Sequence, residues 1–229
     1  MIQDDASRTG AKRNTAAPVF HSRTTGLLET RRMRKGELTR KKIIEKAAPL
    51  FNKKGFNGCS MQDISAATGL EKGSLYTHFS SKEELASEAF DTAWAESCKA
   101  RTGNLDHVSG SIEKLQLHID NFVRKPPFAG GCPLLNTAID ADDGNPALYH
   151  KAQEALAAWV ALLKQIIEQG QKTEEIRSLV DPEAFAMLVI SLLEGAFFTS
   201  RLQKSKAPLR LVQQHLNRYI EEAVRKIAG

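Results

Sequence analysis

The sequence predicts an all-α fold of about nine helices, grouped as an amino-terminal three-helix unit and a larger carboxy-terminal helical domain. Three observations carry this reading. From Leu38 onward apolar residues recur at three-or-four spacing, and no segment alternates with period two for long enough to be a convincing strand. Capping residues and Pro or Gly divide that pattern into pieces of helical length. The positive charge is concentrated at the front: Leu38 to Lys82 holds eight Lys and Arg against three Asp and Glu, residues 1–37 add a net +4, and residues 83–229 carry −4. A basic front joined to an acidic back implies that only the front meets a polyanion. Ordinary solvated surface charge is the plain alternative.

Residues 1–36 mix Arg, Thr, Ser, Ala and Gly without a period and are expected to be a disordered basic tail. Met33, just before the first periodic segment, is a second candidate start of translation. The first helix runs from Leu38, with Ile43, Ile44, Ala47, Leu50 and Phe51 on one face and Arg40, Lys41, Lys42 and Lys46 outside it. Pro49 removes the amide that would bond Glu45 and is expected to kink the helix. Gly55 ends it. Ser60 and Asp63 form a capping pair for a second helix, Met61 to Ala67. Thr68-Gly69-Leu70 makes the turn, since Gly69 takes a positive φ at no steric cost. A third helix covers about Glu71 to His78, with Leu75 and Phe79 facing inward, and Ser80 or Ser81 caps a fourth running toward Cys98. These elements place a first domain at 37–82 and a second at 83–229.

In the second domain, a fifth helix covers Ser111 to Arg124 and stops at Pro126-Pro127. A sixth starts near Cys132 and ends at the Asp142-Asp143-Gly144-Asn145 turn. The seventh runs from Pro146 to Gly170, and Asp181 with Pro182 opens the eighth. The ninth starts near Pro208 and repeats Leu209, Val212, Leu216, Tyr219, Ala223 and Ile227 at helical spacing.

Composition excludes several classes. The longest apolar run, Phe185 to Leu193, is broken by Ser191 and stopped by Glu194, short of the roughly 18 residues of a spanning helix. The front of the chain has no continuous apolar stretch of the secretory kind, so a cytoplasmic protein with no membrane partner is expected. Cys59, Cys98 and Cys132 are odd in number and widely spaced, which argues for reduced thiols. No G-x-S-x-G, Walker lysine or H-E-x-x-H is present, so neither an enzyme nor a cofactor site is expected. Asp140, Asp142 and Asp143 lack EF-hand spacing and read as a solvated helix end rather than a metal site.

Two short helices joined by a glycine turn, with small residues such as Ala66 and Ala67 at the crossing, make a helix-turn-helix, a DNA-binding unit whose second helix can enter a major groove. Its outward residues, Lys72, Gly73, Ser74, Tyr76, Thr77 and His78, are donors or small.

The run Thr39 to Leu85 resembles the TetR family of bacterial regulators. The resemblance rests on Gly55-Phe56, Asp63-Ile64, Thr68-Gly69, the string Lys72-Gly73-Ser74-Leu75-Tyr76-Thr77-His78-Phe79 and Ser81-Lys82-Glu83-Glu84-Leu85. Beyond Leu85 only helix number and length are similar. The resemblance implies that Ser60 touches phosphate and Gln62 a base edge, that Lys72, Gly73, Ser74 and Thr77 face the bases, and that Tyr76, His78 and Lys82 meet the DNA backbone. A hydroxyl, an imidazole and an ammonium suit phosphate oxygens. Core or capping work is the alternative for Tyr76 and His78, and plain solvation for Gln62.

The eighth helix is apolar nearly all round, with Phe185, Leu188, Leu192 and Ala196 on one face and Ile190, Leu193, Phe197 and Phe198 on others, so it must be covered on every side. The resemblance implies a homodimer through the last two helices, a double-stranded palindromic operator, repression, and a small-molecule effector bound among helices four to eight. Trp94, Phe122, Phe128, Trp159 and Phe197 are candidate pocket walls, and His118, Asn136 and Arg201 candidate orienting groups, although each type also serves in ordinary cores or surfaces. Cys132, in Gly130-Gly131-Cys132-Pro133, stands where a helix begins, a position that lowers a thiol pKa and suits a reactive sensor; a buried inert Cys is the alternative. A nucleoid or division-type DNA-binding protein without an effector is the competing function.

Overall fold

A computed structural model describes residues 34–226 apart from 125–127 and 143. Most of the expected tail, the Pro126-Pro127 stop, Asp143 and Ile227 lie outside the described residues. Among those described there are nine α-helices and no named strand.

Helix α1 spans Lys35–Gly58, beginning two residues inside the stretch assigned to the tail. Its non-helical dihedrals fall at Gly55 (φ 74°, ψ 170°), where the sequence ends the first helix, and Pro49 lies inside the helix without such a break. The Asp140 carboxylate is the partner of the break: it accepts a hydrogen bond from the Phe56 amide at 2.6 Å, and a Cβ on residue 55 would run into it. Helix α2 is Met61–Thr68, opened by a reciprocal capping box in which Ser60 Oγ accepts from the Asp63 amide at 3.1 Å and Asp63 accepts from the Ser60 amide at 2.8 Å. Gly69 closes it in the left-handed region at φ 71°. Helix α3 is short, Lys72–Tyr76, because the Thr77 and His78 amides turn back onto Ser74 and Leu75 carbonyls. Ala66 and Ala67 are exposed, so the α2–α3 crossing is filled by Ile64, Thr68 and Leu75 instead of by those alanines.

Helix α4, Lys82–Thr102, is capped by Ser81 and joins two cores. Leu85, Ala89 and Ala93 pack with Ile43, Ile64, Leu75 and Phe79 of the front, whereas Ala86 and Phe90 pack with the rest. A 3-10 turn at Leu105–His107 precedes α5, Ser111–Arg124. Helices α6 (Pro133–Ala141), α7 (Pro146–Lys172), α8 (Pro182–Leu202) and α9 (Ala207–Tyr219) complete the body. The chain does not stay α-helical to Ile227: at Ile220–Val224 it widens into a π turn, and Arg225 then forms an antiparallel bridge with Ile176.

Helix α8 also differs from the sequence reading. It is long and apolar enough to cross a membrane by length and composition, with a mean hydropathy of 1.5 over its best window. Its Phe185, Val189, Ile190 and Leu193 are core, while Met187, Leu188, Phe198 and Leu202 are exposed, which is the pattern of a helix packed on one side only.

Candidate nucleic-acid interface and buried polar site

The front of the chain builds a surface from short elements held by buried anchors. In α3 only Leu75 is buried, so Lys72, Gly73 and Tyr76 project outward together with Thr77 just beyond it. Ser74 and His78 are half-buried. A Cβ on Gly73 would meet nothing within 4 Å, so the helix presents bare backbone there. The Thr77 hydroxyl donates to the Ser74 carbonyl at 2.7 Å, leaving its lone pairs outward. Ser60 and Gln62 are exposed at the start of α2, and Lys82 opens α4 with its ammonium 4.3 Å above the Phe56 ring.

Arg40 clamps these pieces. It donates to the His78 carbonyl and to the Glu84 and Glu88 carboxylates, and its guanidinium stands 4.1 Å over Phe79. Glu84 also accepts from the Ser80 hydroxyl at 2.6 Å and from the Ser80 amide. Those Ser80 bonds, with Arg40, hold its carboxyl down at about 2. Lys72 and Lys82 are thus positioned by helices whose ends are fixed by charge-assisted bonds.

The body contains a second concentration of chemistry, at the far end of α4. Trp94, Phe122, Trp159 and Phe197 collect into one aromatic group, with Phe122 stacked on Trp159 at 5.9 Å between centroids, Trp94 tilted on Trp159 at 6.1 Å and Phe197 edge-on to Phe122 at 6.2 Å. His118 joins them, its Nε2 accepting from the Trp159 indole at 2.9 Å. Cys132 lies alongside.

Two residues that sequence reasoning passed over complete the site. Arg101, 2 % exposed, places its guanidinium carbon 4.0 Å from the Trp159 centroid, 4.9 Å from Phe122 and 5.1 Å from Trp94. Its Nη2 donates to Cys132 Sγ at 3.1 Å and to Glu194 at 3.3 Å, and Cys132 donates to the same Glu194 oxygen at 2.9 Å. Arg101 reads in sequence as one more charge near a polar helix end, but it lies two turns from Trp94 on one face. Glu194 interrupting the apolar run of α8 was the visible signal: a charge in such a helix needs a partner.

The helix-start position does not activate Cys132. Burial is complete, and together with the Glu194 carboxylate it pushes the thiol up to about 12. This fits the buried, inert Cys rather than the reactive sensor, because desolvation and a neighbouring negative charge outweigh the helix terminus. Phe128 packs on the front core instead, Asn136 is held elsewhere, and Arg201 stays at the Phe197 end of the group, where both lie against Gly131. The Asn136 amide donates to the Asn52 and Gly130 carbonyls on the seam between α1 and α6, and exposed Arg201 donates to Gly130 at 2.6 Å.

His118 yields a pH prediction. Burial first, then nearby Arg101, lower its pKa from 6.5 to about 3. Because the folded value lies below the unfolded one, protonation favours the unfolded chain; this contribution is complete above pH 6.5 and is lost progressively as pH falls toward 3. His118→Gln, which keeps an acceptor for Trp159 without a titrating ring, is expected to flatten thermal stability across that window. An equally steep acid loss in the variant would assign the effect to other groups.

An exposed cationic two-helix reader on a clamped three-helix head defines a helix-turn-helix DNA-binding transcriptional regulator. The chain belongs to the TetR family: residues 43–89 match the bacterial regulatory proteins of the tetR family, and residues 111–216 match the tetracyclin repressor-like C-terminal domain. It is similar to a TetR transcriptional regulator from Chloroflexus aurantiacus, with 38% identity and a TM-score of 0.82 over 85% of this chain and 100% of that one. A TetR-family regulator from Cytophaga hutchinsonii gives 35% identity and a TM-score of 0.79, covering 86% and 99%. The HTH-type transcriptional repressor DhaR of Mycobacterium sp. is 25% identical over 74% of this chain and 86% of its own length.

Proposed function

We propose that this regulator is a cytoplasmic repressor that binds a palindromic operator as a homodimer through α8 and α9 and is released by a small-molecule effector held in the body. The observation that carries the reading is helix α4. Its first turn, Lys82 to Glu84, is tied to the DNA-facing head through Arg40, and its last turn delivers Arg101 to the buried aromatic site. A molecule that binds the body better with α4 displaced must lower DNA affinity by the same factor by which DNA lowers its own. In this reading the head is residues 37–82, the body is 83–229, and α4 is the rod between them.

Within the head, Lys72, Gly73, Ser74 and Thr77 read bases, with Gln62 beside them, and Ser60, Tyr76, His78 and Lys82 hold phosphates. Binding should fall steeply with salt as phosphate counterions are released. Lys82→Ala is expected to weaken all sequences alike, whereas Lys72→Ala should cost about 1–3 kcal/mol selectively at the operator. An unchanged preference among operator variants in Lys72→Ala would remove it as a base reader. Genome-wide binding by chromatin immunoprecipitation tests the whole proposal: discrete palindromic sites beside genes are expected, and a diffuse pattern would favour a nucleoid or division role.

A further inference from the structure

The aromatic group around Arg101 has an unusual occupant. Three ring faces, of Trp94, Phe122 and Trp159, and one carboxylate, of Glu194, surround a single guanidinium. Each wall attracts positive charge, because ring faces carry the negative side of the aromatic quadrupole. Yet the occupant is poorly satisfied. Arg101 Nε and Nη1 are buried without hydrogen-bond partners, and so is Glu194 Oε2. Only Nη2 is bonded, to Cys132 and to the other Glu194 oxygen. A box shaped for a cation, with a free carboxylate oxygen and a guanidinium that uses one nitrogen of three, fits a competitor better than it fits its own side chain.

We propose that the box takes a compact organic cation, a guanidinium or alkylammonium head, which displaces Arg101 and pairs with Glu194. This rests on the effector reading above and adds the chemical class of the ligand. Exchange of one buried cation for another leaves the charge of the site unchanged, so Glu194 is never stranded without a partner. An anion would gain Arg101 alone and would face three negative ring faces and Glu194. A neutral polar molecule would leave the Arg101–Glu194 pair in place and gain no ion pair of its own. Displacement also has a mechanical consequence. Arg101 is in the final turn of α4, and Asn121 Nδ2 pins that turn by donating to the Arg101 and Gly103 carbonyls at 3.2 and 2.9 Å. Removing the guanidinium from the box strains that turn, at the end of the helix opposite the DNA head.

The sequence contains two tryptophans, and both line the box, so intrinsic fluorescence of the full chain reports on this site. Methylguanidinium and tetramethylammonium are expected to give saturable shifts with half-saturation near or below about 1 mM, the range of a weak specific site, while acetate and methylurea give none. Glu194→Gln should weaken both cations at least tenfold, and Arg101→Met, which removes the competitor, should tighten them at least tenfold. If Glu194→Gln does not fold, Arg101→Met/Glu194→Gln compared with Arg101→Met makes the same test. Silence of both cations in the wild type, a shift of equal size with acetate, or a response confined to Arg101→Met would overturn the proposal. Operator affinity measured in the same titrations separates the two readings. A fluorescence shift without operator release supports the cation box and removes its effector role; operator release by uncharged or anionic compounds, with the cations silent, does the reverse.

Discussion

In the proposed homodimer, Phe198→Glu is expected to give monomers and to abolish binding to the proposed operator at concentrations where the wild type is saturated. Phe198 is 51 % exposed on the single chain, in a stripe along α8 formed by Leu188, Ser191, Gly195, Phe198 and Leu202 at alternating three and four spacing. Ser191 and Gly195 are the small members, and a Cβ on Gly195 would meet nothing within 4 Å, so a partner helix can approach closely there. Leu211 and Tyr219 of α9 are also exposed. Covering a Phe or Leu side chain contributes about 1.5–3 kcal/mol, and a two-fold axis makes each substitution count twice. Counted twice, that is about 3–6 kcal/mol, so paired carboxylates there would remove about two to four orders of magnitude in association. Because Phe198 is exposed in the monomer, the helical circular dichroism should be unchanged. Sedimentation of both proteins decides the matter: a stable dimer in Phe198→Glu would place the interface on another face.

The second large effect is expected at Leu75. It is the sole buried residue of α3 and is completely enclosed by the small front core of Ile43, Ile64, Phe79 and Leu85. Leu75→Ala should cost about 2–5 kcal/mol, from lost transfer energy and the cavity left behind. Against a total stability of about 5–15 kcal/mol for a folded domain, that loosens the reader out of proportion to its size. The body has its own core, so operator affinity should collapse while the dimer persists. Undiminished operator affinity would mean that α3 is held by its outer contacts rather than by its anchor.

The head was legible in the sequence because its determinants are local. Ser60 and Asp63 are three residues apart and form the capping box that their spacing predicts, and Gly69 takes the left-handed turn that only glycine adopts freely. The exposed set on α3 follows from one inward leucine. The end of the first helix at Gly55 was local too. What the sequence did not show was the partner of that break, since the Phe56 amide donates to Asp140, 84 positions away.

Helix number, order and caps, the exposed reader and the apolar excess of α8 were therefore determined by the sequence itself, since period, capping chemistry and glycine geometry act over a few residues. Tertiary structure alone decided the chemistry of the body. It paired Arg101 with Glu194, 93 residues apart, beneath three rings, raised the Cys132 thiol by burying it beside that carboxylate, and tied Asn136 and Arg201 to the Gly130 carbonyl. It also left one side of α8 bare. The physical reason is that desolvation, ion pairing and ring contacts depend on which distant segments pack together, and a charge exposed in the unfolded chain acquires its partner only when they do.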